Sequence, residues 1–147
     1  MTYGDIMKSV NGILKDLYPN IRRYDSSTDD GTKTPYFVVE VVPTKTDRQT
    51  KNMRERRCTV YITYIQKTPD TVDAYEKMEA LDKALGMYLK ADTRKLHISG
   101  FDMDMIGQKN NIPQYSFDLD WFTCVTKETG DLIEDVTMTV TRKEDNE

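Results

Sequence analysis

The sequence predicts an α+β domain: a mostly antiparallel sheet of four to six strands, with two helices packed on one of its faces. Two observations carry this expectation. Runs of apolar–polar alternation come in neighbouring pairs joined by polar segments, as in hairpins. Two longer stretches repeat their apolar residues at helical spacing on one face only. Clusters of strands interrupted by single helices are the pattern of α+β folds. With 147 residues, the chain is long enough for a single core.

The first helix is expected over residues 5–18, with Ile6, Val10, Ile13, Leu14 and Leu17 on one face. Asp5 suits its first turn and Pro19 ends it. The polar stretch DSSTDDGTK, residues 25–33, reads as a loop. In TPYFVVEVVP, residues 34–43, Phe37, Val39 and Val41 share one side of a strand and Tyr36, Val38, Glu40 and Val42 the other. Residues 44–54 contain almost no large apolar side chain and read as an exposed loop. The next strand, 56–65, sets Cys58, Val60, Ile62 and Tyr64 against Arg57, Thr59, Tyr61 and Thr63.

Thr68 and Pro69 then open a second helix, as N-cap and first helical residue. It is expected to run to about Lys90, with Val72, Tyr75, Met78, Leu81, Leu85, Tyr88 and Leu89 as its buried stripe. Phe101, Met103 and Met105 alternate with Asp102 and Asp104. Tyr115, Phe117, Leu119 and Trp121 alternate with Ser116, Asp118 and Asp120. Asn110–Asn111 between them marks a hairpin with a loop longer than two residues. Thr129-Gly130-Asp131 reads as a turn, and Val136, Met138 and Val140 as a last strand. The expected organisation is one domain over 1–141, an exposed basic loop at 44–57, and a charged tail at 142–147.

Composition narrows the function. No apolar run is long enough for a membrane-spanning helix, and the N-terminus lacks a signal-peptide pattern, so a cytoplasmic site of synthesis and assembly is expected. Cys58 and Cys124 have no metal spacing and read as small side chains within strands. The single histidine, His97, has no partner pattern around it, and phosphate loops and the common hydrolase or redox motifs are absent. No catalytic, cofactor-binding or metal-ligating residue is therefore nominated, and the expected function is not enzymatic. Asp102, Asp104, Asp118 and Asp120 could approach one another across a hairpin and hold a divalent cation, but the same pattern arises on the solvated face of any half-buried sheet.

The strongest functional signal is charge. Lys45, Arg48, Lys51, Arg54, Arg56 and Arg57, opposed by Asp47 and Glu55, put +4 on residues 45–57 of a chain whose net charge is −4. Such separation speaks about partners. The segment could bind nucleic-acid phosphates, but it has no interleaved aromatic residue for base stacking and the chain is acidic. It could be a merely solvated loop. Or it could meet the acidic face of a neighbouring copy, in the head-to-tail kind of contact that closes rings. The six basic residues and the four aspartates are accordingly the candidate subunit-interface residues.

The succession of LYPN, PYFVVEVV, RERRCTVYITYI, a helix, and FDMDMIGQKNNIPQYSFDLDWF resembles the tail terminator, or tail completion, proteins of long-tailed bacteriophages and prophages. The resemblance covers residues 5–140 and rests on element order and local patterns. It implies a structural virion protein without cofactors: a homo-oligomeric ring, commonly hexameric, at the head-proximal end of the tail. Such a ring stops growth of the tube and joins it to the head. The implied partners are the tail tube protein and the head–tail connector, with no membrane and no sequence-specific nucleic acid. Assembly is implied in the bacterial cytoplasm, and a mobile loop is implied at residues 44–54. A head-completion or connector protein, and a small nucleic-acid- or ligand-binding module, remain the alternatives. Light scattering against salt and a DNA gel shift discriminate them.

Overall fold

Thr2 starts the first helix with a reciprocal cap. Its hydroxyl accepts from the Asp5 backbone N–H at 3.2 Å, and the Asp5 carboxylate accepts from the Thr2 N–H at 2.7 Å. Two donors that helix geometry leaves without partners are thereby satisfied. In the computed structural model, which describes residues 1–24 and 34–125, the helix α1 is Tyr3–Leu17 and buries Ile6, Val10 and Leu14.

Against it lies a sheet that has six strands among the described residues. Its strands are β1 (Arg22–Tyr24), β2 (Tyr36–Arg48), β3 (Met53–Ile65), β4 (Tyr88–Ala91), β5 (Arg94–Ile106) and β6 (Ile112–Cys124). Their spatial order is β1-β2-β3-β6-β5-β4. Of these strand pairs, β1 and β2 run parallel and the others antiparallel. The second helix, α2, is Thr71–Leu85. It is tied to the helix-side face of the sheet by Tyr115, whose hydroxyl donates to the Ala74 carbonyl at 2.7 Å, and by Tyr64, which donates to Asp73 at 2.9 Å. The expected α+β fold, with both helices on one face, is the observed one.

The core sits between helices and sheet. Phe37 and Val39 of β2, Cys58, Val60 and Ile62 of β3, and Tyr115, Phe117 and Leu119 of β6 are at most 1% exposed, on the sides that alternation assigns to them. Burying each large side chain stabilises the fold by about 1.5–3 kcal/mol.

Four sequence expectations are corrected. Residues 44–54 are not a loop. β2 continues to Arg48, β3 begins at Met53, and only the four residues 49–52 turn the corner. An arm solvated on both faces needs no apolar alternation, and its register is inherited from the apolar half of the same hairpin. β6 also pairs with β3 along the arm's whole length, to Met53 opposite Cys124. The cap of α2 is Asp70, not Thr68: its carboxylate accepts from the N–H groups of Val72 and Asp73. The helix stops at Gly86, whose φ of +60° suits glycine, so Tyr88 and Leu89 belong to β4. Val72 and Tyr75, expected in the buried stripe, are 65% and 51% exposed, while Ala74 is fully buried. That small residue lets α2 approach Tyr115 closely.

β1 carries no alternating pattern and was not expected. The loop at 25–33, the turn at 129–131, the strand around Val136 to Val140, and the tail at 142–147 lie outside the described residues.

Candidate assembly surface

The sheet face turned away from the helices is built by cross-strand rows. Near the end remote from the arm, Tyr36 lies opposite Ile65, and Ile106 opposite Ile112. The next row is Val38, Thr63, Gln114 and Asp104, and the one after it Glu40, Tyr61, Ser116 and Asp102. Then come Val42, Thr59, Asp118 and Ser99, followed by Lys45, Arg57 and Asp120.

Two bulges decide which side chains reach this face. Between Pro43 and Lys45 the register of β2 slips, with Thr44 as the extra residue. The slip reverses the parity of everything beyond it, so Lys45 and Asp47 join Glu55 and Arg57 on the open face. Arg48 and Arg54, paired with each other, face the helix side together with Arg56. In β5 the slip falls at Gly100, which takes φ +63° and sets Asp102 and Asp104 outward beside Ser116 and Gln114.

The six basic residues therefore divide. Lys45 pairs with Asp47, and Arg57 with Glu55 at 2.8 Å, while Arg57 also stands opposite Asp120. Arg56 is half-buried at the root of the arm, with its guanidinium 6.0 Å from the centre of the Tyr3 ring. Lys51 is exposed in the turn. Arg48 and Arg54 form no ion pair among the described residues. They are like charges directly opposite one another, an arrangement that costs stability unless an anion joins it.

The four aspartates divide as well. Asp118 accepts from the Thr59 hydroxyl at 2.6 Å, and Asp120 faces Arg57. Together with Thr44 and Ser99 they line a polar cleft of about 510 Å³. Asp102 and Asp104 are exposed and stand opposite Ser116 and Gln114, with no cation against them among the described residues. The structure does not bring the four together, and no group of three potential metal ligands occurs among the described residues. His97 is exposed on β5 with its ring against Tyr88, at 5.8 Å between centroids.

One feature of this face was missed by sequence reasoning. Beside Asp104, a shallow depression of about 330 Å³ is lined by Tyr36, Val38, Ile65, Ile106 and Ile112, with Glu40, Thr63 and Gln114 at its polar side. Its signal was present in the apolar residues at strand ends, Ile65, Ile106 and Ile112, which break the polar rhythm of the open face. Fold pairing, not sequence proximity, gathers them.

A family model described as phage tail terminator protein matches residues 5–131. The chain belongs to the phage tail terminator family. It is thus a structural protein of a bacteriophage virion, acting among other tail components. Among solved structures, a chain of the virion of a native gene transfer agent particle is 13% identical. That match covers 80% of this terminator-family chain and 90% of the other, with a TM-score of 0.51, and shows a shared fold. A second solved structure matches at 12% identity over 87% of this chain and 99% of that one, with a TM-score of 0.47. No curated protein matches the sequence. Among the described residues, no helix is long and apolar enough to cross a membrane.

Proposed function

We propose that this protein forms a homo-oligomeric ring, hexameric as in the resemblance noted above, on the head-proximal end of the tail tube. The ring stops tube growth and offers the head connector its docking surface. It is assembled in the bacterial cytoplasm before joining the head. The role is one of surfaces and not of chemistry. The observation that carries the reading is the family match over residues 5–131.

The geometry supports it in a second way. A ring needs a surface that its own chain cannot satisfy, complementary to another surface of the same chain. Among the described residues, the arm carries arginines without an ion pair at one end of the sheet, and the open face carries carboxylates without one towards the other. The test is deletion of the gene in the parent phage or prophage. Tails of irregular, extended length that do not join heads, restored to uniform length by added purified protein, are the expected result. Tails of normal length joined to heads would overturn the reading.

A further inference from the structure

Resting on that ring reading, we infer that one side of the arm tip makes the contact between copies: Arg48 and Arg54 seat on Asp102 and Asp104 of the next copy, with their stems over its Tyr36–Ile65–Ile112–Ile106 floor.

Several charges of the arm and the open face are already engaged within one copy. Lys45 and Arg57 have carboxylate partners within their own arm, and Arg56 reaches back to Tyr3. Asp118 is held by Thr59 and Asp120 faces Arg57. Among the described residues of the arm and the open face, Arg48 and Arg54 remain without a carboxylate, as does Lys51 in the turn, and Asp102 and Asp104 remain without a partner side chain, with Glu40 exposed in the same row as Asp102. An arginine is suited to such a site, because its stem covers apolar surface while its planar head bonds a carboxylate in two places.

One copy cannot join these groups to each other. Arg54 lies in the row of Thr123, whereas Asp104 lies in the row of Gln114 and Thr63. Those rows are nine residues apart along β3, about 30 Å at ~3.3 Å per residue. That is about three Debye lengths at ~0.1 M salt. Two copies placed head to tail can join them, and the same contact then repeats around a ring.

The contact is made by a face and not by an added strand. Beyond Val38 no strand among the described residues pairs with the outer edge of β2, and that edge carries Pro43, the bulge, and Lys45, all devices that discourage strand pairing. The depression beside Asp104, floored by Tyr36 and the three isoleucines, offers the arginine stems an apolar seat, which exposed ion pairs alone would not provide.

The test is a charge exchange followed by sedimentation velocity of the full chain, with and without tail tubes. Arg48→Asp/Arg54→Asp and Asp102→Arg/Asp104→Arg should each move the protein from the assembled to the monomer peak, with unchanged far-UV circular dichroism. Mixed in equal amounts, the two variants should assemble again, since each arm then meets an opposite receiver. Asp118→Asn/Asp120→Asn should assemble like the wild type. Wild-type assembly that ignores both reversals, or that is lost and not regained on mixing, overturns the inference and leaves the ring intact. If assembly ignores both reversals while the first abolishes a gel shift with duplex DNA, the arm is a phosphate-binding surface and the inference is again overturned. A wild-type chain that stays monomeric even with tubes present overturns the ring reading and the inference together.

Discussion

Asp73 is the polar joint between α2 and the sheet. Its carboxylate accepts from Lys77 at 2.8 Å, Tyr64 at 2.9 Å and Gln66 at 3.2 Å, and the Lys77 ammonium also lies 4.6 Å from the centre of the Tyr18 ring. Burial pushes the Asp73 carboxyl upward, but the hydrogen bonds from Lys77, Tyr64 and Gln66 outweigh it and hold the group below its ordinary value. A carboxyl depressed in the folded state adds stability that is complete above its unfolded pKa and fades as pH falls through the folded one. Asp73→Ala should therefore cost about 1–2 kcal/mol at neutral pH. The gap from wild type should close progressively below about pH 4. Urea midpoints across pH check this; an undiminished gap in acid would contradict it. Cys58 makes a second case. It is fully buried, and burial, followed by the nearby Asp118 charge, pushes its thiol up to about 12. Cys124 is exposed. An aromatic disulfide reagent at mildly alkaline pH should titrate Cys124 alone in the native protein and Cys58 only after denaturation.

At the scale of elements, alternation was a good guide where one face is dry. Tyr115, Phe117, Leu119 and Trp121 of β6 are all buried, as their spacing required. It failed where both faces are wet. Thr46, Arg48, Arg54 and Glu55 have no apolar rhythm, yet they form ladder pairs because β6 carries β3 outward. It failed again at the bulge. Strict period two would put Lys45 and Asp47 on the helix side, and the extra Thr44 reverses them. Nothing in the residues around Thr44 announces that slip. At the end of α2, Tyr88 and Leu89 continue the helical spacing, but Gly86 interrupts the backbone and ends the helix before them. Gly86 has φ 60° and ψ −141°, and a methyl group there would meet no atom within 4 Å. Gly86→Ala should still destabilise by about 1–3 kcal/mol, since the cost lies in the backbone and not in packing. A thermal melt unchanged from wild type would contradict that account.

For the whole molecule, the decisive property is polarity along the sheet. The sequence showed that basic and acidic residues were segregated, but could not show which were already neutralised at home. That sorting follows from pairing partners distant in sequence, such as Thr59 with Asp118 and Arg57 with Asp120. It separates Arg48 and Arg54 from Lys45, Arg56 and Arg57, and Asp102 and Asp104 from Asp118 and Asp120. If association uses these exposed charges, it should weaken as the screening length falls from ~30 Å at 0.01 M salt to ~3 Å at 1 M. Light scattering that is flat across this range would show that apolar contact alone holds the copies together. The most direct measurement is a cross-link. In a Cys124→Ser background, Arg54→Cys combined with Asp104→Cys places one thiol at each end of the sheet, too far apart to meet within a chain. A reductant-cleavable bis-maleimide with a spacer of about 10 Å, longer than the ~7 Å a disulfide can bridge between Cα atoms, should give a ladder of covalent multimers from the assembled protein on a non-reducing gel, collapsing to monomer with reductant. Monomer alone, from particles that sedimentation shows to be assembled, would contradict the head-to-tail contact.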